Sequence, residues 1–119
     1  MLDSAAFFTA LDDPQRHAVR IRAKRLRYAL ELAADDLPAA PTAAWTRRLE
    51  ALQDLLGAAN DAAVAEQVVA QLGDSAAVRG MRAAMRDFVR GSLMPTEQAL
   101  LQLALEHQPW RRRPRMPAA

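Results

Sequence analysis

The sequence predicts an all-α fold: a helical bundle of about four to five helices joined by short connections. Three observations carry that expectation. The chain is rich in alanine and poor in β-branched residues, with aromatics at 5%, a composition that favours helix throughout. Its apolar residues recur at three- and four-residue intervals, in runs separated by Gly and Pro. Its 119 residues are enough for one hydrophobic core and too few for two.

Each element has its own signals. Residues 2–12 predict a short helix with Asp3 as cap and Phe7, Phe8 and Leu11 on its apolar side. A long helix follows from Asp13, which can cap its free amides, with Pro14 where a missing N–H costs nothing. It ends near Asp35–Leu37, ahead of Pro38 and Pro41. Thr42 predicts the cap of a second helix running to Leu56, with Trp45, Leu49, Leu52, Leu55 and Leu56 as its stripe and Gly57 as its stop. Asn60 or Asp61 starts a third, whose core residues are Val64, Val68, Val69 and Leu72 and whose end is Gly73. Ser75 starts a fourth, with Val78, Met81, Met85, Phe88 and Val89 as its core face. Gly91 to Pro95 reads as an interruption, and Pro95-Thr96-Glu97 restarts a last helix carrying Leu100, Leu101, Leu103 and Leu105. Residues 1–108 are read as one helical domain. Residues 109–119, rich in Pro and Arg, are read as a loose tail begun by Trp110.

The net charge of +2 conceals an uneven distribution. Six of the sixteen basic residues lie between Pro14 and Leu30, where no carboxylate occurs, and four more lie in the tail. The other six face fourteen acids, so most of the chain is net negative and the positive charge is concentrated. Concentrated positive charge favours an anionic partner. Without cysteine there is neither a disulfide framework nor a thiolate metal site. No signal peptide or membrane-length apolar run is present, so a soluble, cytoplasmic chain is expected.

Within the basic stretch, helical geometry sorts the charges. His17 is set at zero and each residue turns the helix by about 100°. Arg20 then falls at about 300°, Lys24 at about 340° and Arg27 at about 280°. Val19, Leu26, Leu30 and Ala33 take the other side, at about 160–220°. The basic residues form a line about 15 Å long from His17 to Arg27. Tyr28 and Glu31 share its sector. Like charges one turn apart cost about 0.2–0.5 kcal/mol per pair. A solvated face would normally carry intervening acids, so the line is either an unusual solvated face or the seat of an anion. Arg48 projects into the apolar stripe of the second helix, where a bare charge is too costly. It is expected to line the basic cavity, or else to pair with Glu31 or Asp61. Catalysis finds no support: there is no phosphate-binding Gly loop, no HExxH and no nucleophile elbow. His17 and His107 stand apart, with no acids at metal-ligand spacing.

The stretch from His17 to Glu31, HAVRIRAKRLRYALE, closely resembles the signature helix of the CHAD domain, the "conserved histidine α-helical domain", which reads roughly H-x-x-R-I/V-x-x-K-R-L-R-Y-x-x-E. A second landmark of that family, L-Q-x-x-L-G-x-x-x-D, is matched by Leu52-Gln53-Asp54-Leu55-Leu56-Gly57-Ala58-Ala59-Asn60-Asp61. The two together cover residues 17–61. The resemblance implies an all-helical domain that binds inorganic polyphosphate through a basic channel. It implies His17, Arg20, Lys24 and Arg27 as anion ligands, with Arg25 and Arg48 as further candidates, and neither metal nor cofactor. A full CHAD domain resembles two such halves facing each other. This chain carries one signature helix, similar to that of the second half, so it is either a fragment or a free-standing half. A second CHAD-like half, or a homodimer, is the corresponding partner.

Two other readings compete for the same residues. A nucleic acid could lie on the basic face, but Tyr28 is the only aromatic there for base stacking. Alternatively the bundle is an adaptor that docks an acidic protein.

Overall fold

The computed structural model describes residues 8–106 and 108–111. Among the described residues there are three α-helices where about four to five were expected: α1 spans Asp13–Ala33, α2 spans Ala39–Ala70 and α3 spans Ala76–Leu105. No strand occurs among the described residues. The expected short helix at residues 2–12 lies partly outside them, as does its Asp3 cap; within them, Phe8–Ala10 form a single 3-10 turn.

Most of the expected starts and stops hold to within a few residues. The cap of α1 is Asp12, one residue earlier than expected. Asp12 accepts from the Gln15 amide at 2.9 Å while the Gln15 side chain accepts from the Asp12 amide at 3.0 Å. This reciprocal box satisfies two amides where Asp13 could satisfy one. A 3-10 turn over Ala34–Asp36 closes α1. Ser75 caps α3 by accepting from the Val78 amide. Gly73, at φ 113°, provides the left-handed residue between α2 and α3, a conformation only glycine adopts without strain.

The missing boundaries are Gly57 and Pro95, both of which lie inside continuous helices. Thr42 does not cap either; α2 has already begun at Ala39, and the Thr42 hydroxyl donates to the Pro38 carbonyl at 2.6 Å. Gly57 has no positive φ, and a Cβ placed on it meets nothing within 4 Å. It therefore weakens α2 without ending it. Gly57→Ala is expected to stabilise the protein by about 0.5–1 kcal/mol, seen as a higher melting temperature in calorimetry; an unchanged or lower melting point contradicts this account. Pro95 has no N–H to offer the carbonyl one turn back. Neighbouring carbonyls are instead engaged by hydroxyls: Ser92 Oγ donates to Val89 O at 2.6 Å, and Thr96 Oγ1 to Ser92 O at 2.7 Å.

Long helices change the shape of the molecule. The chain extends 71 × 26 × 19 Å with a radius of gyration of 18.2 Å, against about 13.5 Å for a compact chain of this length. The main core is confined to one end. There Val19, Ala23 and Leu30 of α1 meet Trp45, Leu49, Leu52 and Leu56 of α2 and Leu100 and Leu103 of α3, with Phe8 closing the cluster. Beyond it the α2–α3 hairpin continues, its tip held by Val69 and Val78 and by Glu66, which accepts from Arg82 at 2.9 Å. The expected core faces of this distal half are only partly buried: Val64, Val68, Leu72, Met81 and Phe88 are all exposed. Trp110 packs edge-on against Trp45, with ring centroids 5.0 Å apart. No helix among the described residues is long and apolar enough to cross a membrane.

Candidate functional site

The basic face of α1 resolves into two rows. Val19, Ala23 and Leu30 are buried against α2, which turns the opposite side of the helix outward. Lys24 and Tyr28 lie fully on that outer side, and His17 is exposed between it and the edge. Lys24 Nζ sits 5.9 Å from the centre of the Tyr28 ring, a cation–π contact that orders the ammonium. Arg20 and Arg27 are half-buried at the edge of the helix, and so is Arg16, which the sequence reading passed over.

The half-buried row does not have one environment. Towards the start of α1, Arg16, His17 and Arg20 line a cavity of about 350 Å³ beside Leu56, Asn60 and Gln67 of α2 and Ser92 and Thr96 of α3. Arg16 reaches Asp13 at 3.4 Å, and its Nε is buried with no partner among the described residues. Towards the other end, Arg27 is braced. Its Nε donates to Glu31 at 3.2 Å and its Nη1 to Gln53 at 3.0 Å, with Glu50 at 3.6 Å from Nη2. Gln53 thus has a structural reason to follow Leu52: one residue fills the core and the next crosses to α1.

Among the described residues, His17, Arg20, Lys24 and Arg25 make no hydrogen bond or ion pair through their side chains. Arg20, Lys24 and Arg25 are therefore uncompensated charges, with the His17 imidazole unpartnered beside them. Arg25 is exposed but set about 80° from His17 around the helix, on the flank away from the cavity. Arg48 does not join the group. It pairs with Glu106 and donates to Gln102 at 3.3 Å, and it is absent from the cavity lining. Neither Glu31 nor Asp61, its two expected partners, holds it. Arg48 lies in the α2 stripe as expected, but α3 rather than α1 faces it there.

Arg16, Asn60, Gln67 and Gln53 are site residues to which the sequence pattern gives no binding role, although Gln53 is a fixed position of the second landmark. For Arg16 the signal is present, since it falls at about 260°, only about 20° from Arg27 around the helix. For Asn60 and Gln67 it is hidden by the expected break at Gly57. Once α2 is continuous, both lie on the same side as Leu56. Among the described residues no group of three or more acids and histidines could hold a metal ion. His107 and the arginines from Arg112 onward lie outside the described residues.

The family model of the CHAD domain matches residues 2–70, that is, α1 and the whole of α2. No curated protein and no solved structure gives a match. The third helix, which closes the cavity with Ser92 and Thr96, lies outside the matched region.

Proposed function

The chain belongs to the CHAD domain family, and we propose that it binds inorganic polyphosphate without catalysing a reaction, holding it along the outer face of α1. The observation that carries this reading is the contrast between neighbouring cations. Arg27 is braced by two carboxylates and an amide, whereas Arg20 and Lys24 are not compensated. Leaving like charges one turn apart unpaired costs stability, and a polyanion lying across them removes that cost. Arginine suits the task because its planar fork grips two oxygens at once. The partly enclosed cavity beside Arg16, His17 and Arg20 strengthens the attraction at that end, because charges out of bulk water are less screened. A polyphosphate has no base edges to read, and Tyr28 alone offers stacking, so the same face is a poor nucleic-acid reader.

The test is a competition at fixed salt. Long-chain polyphosphate, single-stranded nucleic acid and an acidic peptide are titrated against one another on the intact chain. Polyphosphate should displace the other two; equal displacement by all three would mean an unselective basic surface.

Arg27 supplies a further expectation. Glu50 holds it back from the anion, so Glu50→Gln should raise polyphosphate affinity. The slope of log K against log salt should steepen by about 0.7, the value for one added phosphate contact by analogy with single strands. Unchanged affinity would show that Arg27 stays anchored to α2 through Gln53 and takes no part in binding.

A further inference from the structure

The cavity at the start of α1 has two sides of different chemistry. Its volume of about 350 Å³ falls in the range of small-molecule sites, which begins at about 300 Å³. On the α1 side stand Arg16 and Arg20, half-buried one turn apart. The inner wall is apolar: Phe8 and Leu56 are buried, with Ala59, Ala63, Val89 and Leu93 half-buried around them. The two hydroxyls on that wall are already committed, Ser92 Oγ to Val89 O and Thr96 Oγ1 to Ser92 O. Asn60 and Gln67 complete the lining, Gln67 at the exposed mouth.

A polyanion accounts for only one of these sides. Polyphosphate crossing at Arg20 can satisfy the cations, but its oxygens gain nothing from the apolar wall and lose hydration against it. Water is a poor filler there too, because a buried water needs about two to four polar partners. What matches both sides is a molecule with an apolar body and one anionic head. Arg16 has a specific use for such a head. Its Nε is buried with no partner among the described residues, and a buried N–H without an acceptor is costly. Asp13 does not relieve it: that carboxylate meets Nη1 at 3.4 Å, from a side chain almost wholly in solvent.

We infer that this cavity binds a single-chain amphiphilic anion, its carboxylate on Arg16 and Arg20 and its alkyl chain against Leu56, Ala63 and Leu93. At about 30 Å³ for each water-sized group, the volume of about 350 Å³ admits a head and a chain of about ten carbons. A two-chain lipid does not fit. The inference does not rest on polyphosphate binding, since the alkyl chain lies inside the cavity and Lys24 on the outer side of α1 stays free.

Sodium hexanoate, octanoate and decanoate, each below micelle formation, test this by calorimetric titration into the intact chain. Binding should saturate at one ligand per chain and tighten about fourfold with each added methylene. Decyltrimethylammonium, with the same chain and the opposite head, should bind about tenfold more weakly or worse, and Arg16→Leu should narrow that preference. Ala63→Leu, which puts a larger side chain into the cavity, should weaken decanoate about tenfold or more. Its helix content by circular dichroism and its polyphosphate affinity should stay as in the wild type. Ala59→Leu repeats the test from the preceding turn. Loss of polyphosphate binding with decanoate binding intact would remove the polyphosphate reading alone. Anionic phospholipid vesicles separate a free ligand from a bilayer one: any binding to them should be the same with and without Ala63→Leu. If Ala63→Leu releases the chain from vesicles, the cavity takes a bilayer lipid and the assignment to a free single-chain anion is overturned. It is overturned equally by the absence of saturable binding, by equal affinity for the decyl anion and cation, or by decanoate binding that ignores both alanine substitutions.

Discussion

Replacing Arg20 and Lys24 together by alanine is expected to flatten the salt dependence of polyphosphate binding by about 1.4 in slope, at about 0.7 per lost phosphate contact. Affinity should fall most at low salt, where released counterions contribute most to binding. The fold should be almost unaffected. Removing the two cations relieves an i,i+4 repulsion of about 0.2–0.5 kcal/mol. It also forfeits the Lys24–Tyr28 contact, which at an exposed site is worth about 0.5–1 kcal/mol, so the two effects nearly cancel. Arg22 is the control. It is exposed but stands about 140° from His17, so Arg22→Ala should change the slope little. Calorimetric titrations at several salt concentrations decide the matter. If Arg22→Ala costs as much as either Arg20→Ala or Lys24→Ala, the anion is held by overall charge and the ordered row does not exist. Arg27→Ala should behave differently again, losing stability through Glu31, Glu50 and Gln53 while changing the salt slope least.

Why the basic face was legible in the sequence and the architecture only in part follows from what each depends on. The angular position of a residue on α1 depends only on that helix being continuous, and nothing between Pro14 and Leu30 challenges its continuity. The ends marked by Gly73 and Ser75 were equally plain, because positive φ and a hydroxyl cap are local requirements. Gly57 and Pro95 were misread for the opposite reason. Each lowers helix propensity, yet whether the helix ends there is settled by packing on either side. At Gly57, Leu52 and Leu56 precede the residue in the main core and Val69 follows in the hairpin, and that burial outweighs a propensity cost of about 1 kcal/mol. Two helices too many then placed Phe88 on a core face, whereas it is exposed. Arg48 shows the remaining limit: its place on the α2 stripe was readable, but which helix faced it was not. The partner proved to be Glu106, 58 residues away, beyond any local pattern.

The site ultimately depends on a core much smaller than the molecule, and Leu52 tests that dependence. It is fully buried where all three helices meet. Leu52→Ala should therefore cost about 3 kcal/mol or more, within the range of about 2–5 kcal/mol for such deletions. A loss of that size is a large share of the stability of a small domain. Val69→Ala, in the distal hairpin, should cost much less, because that region buries few side chains besides Val69 and Val78. Native-state hydrogen exchange would show the same order, with amides of Leu49–Leu56 protected to the global limit and those near the α2–α3 turn opening first. Because only the folded chain presents the α1 row, polyphosphate should raise the melting temperature of Leu52→Ala, with the gain growing as the logarithm of ligand concentration. If Leu52→Ala and Val69→Ala destabilise equally, the molecule folds as one extended cooperative unit, and the picture of a compact anchor bearing the anion-binding helix fails.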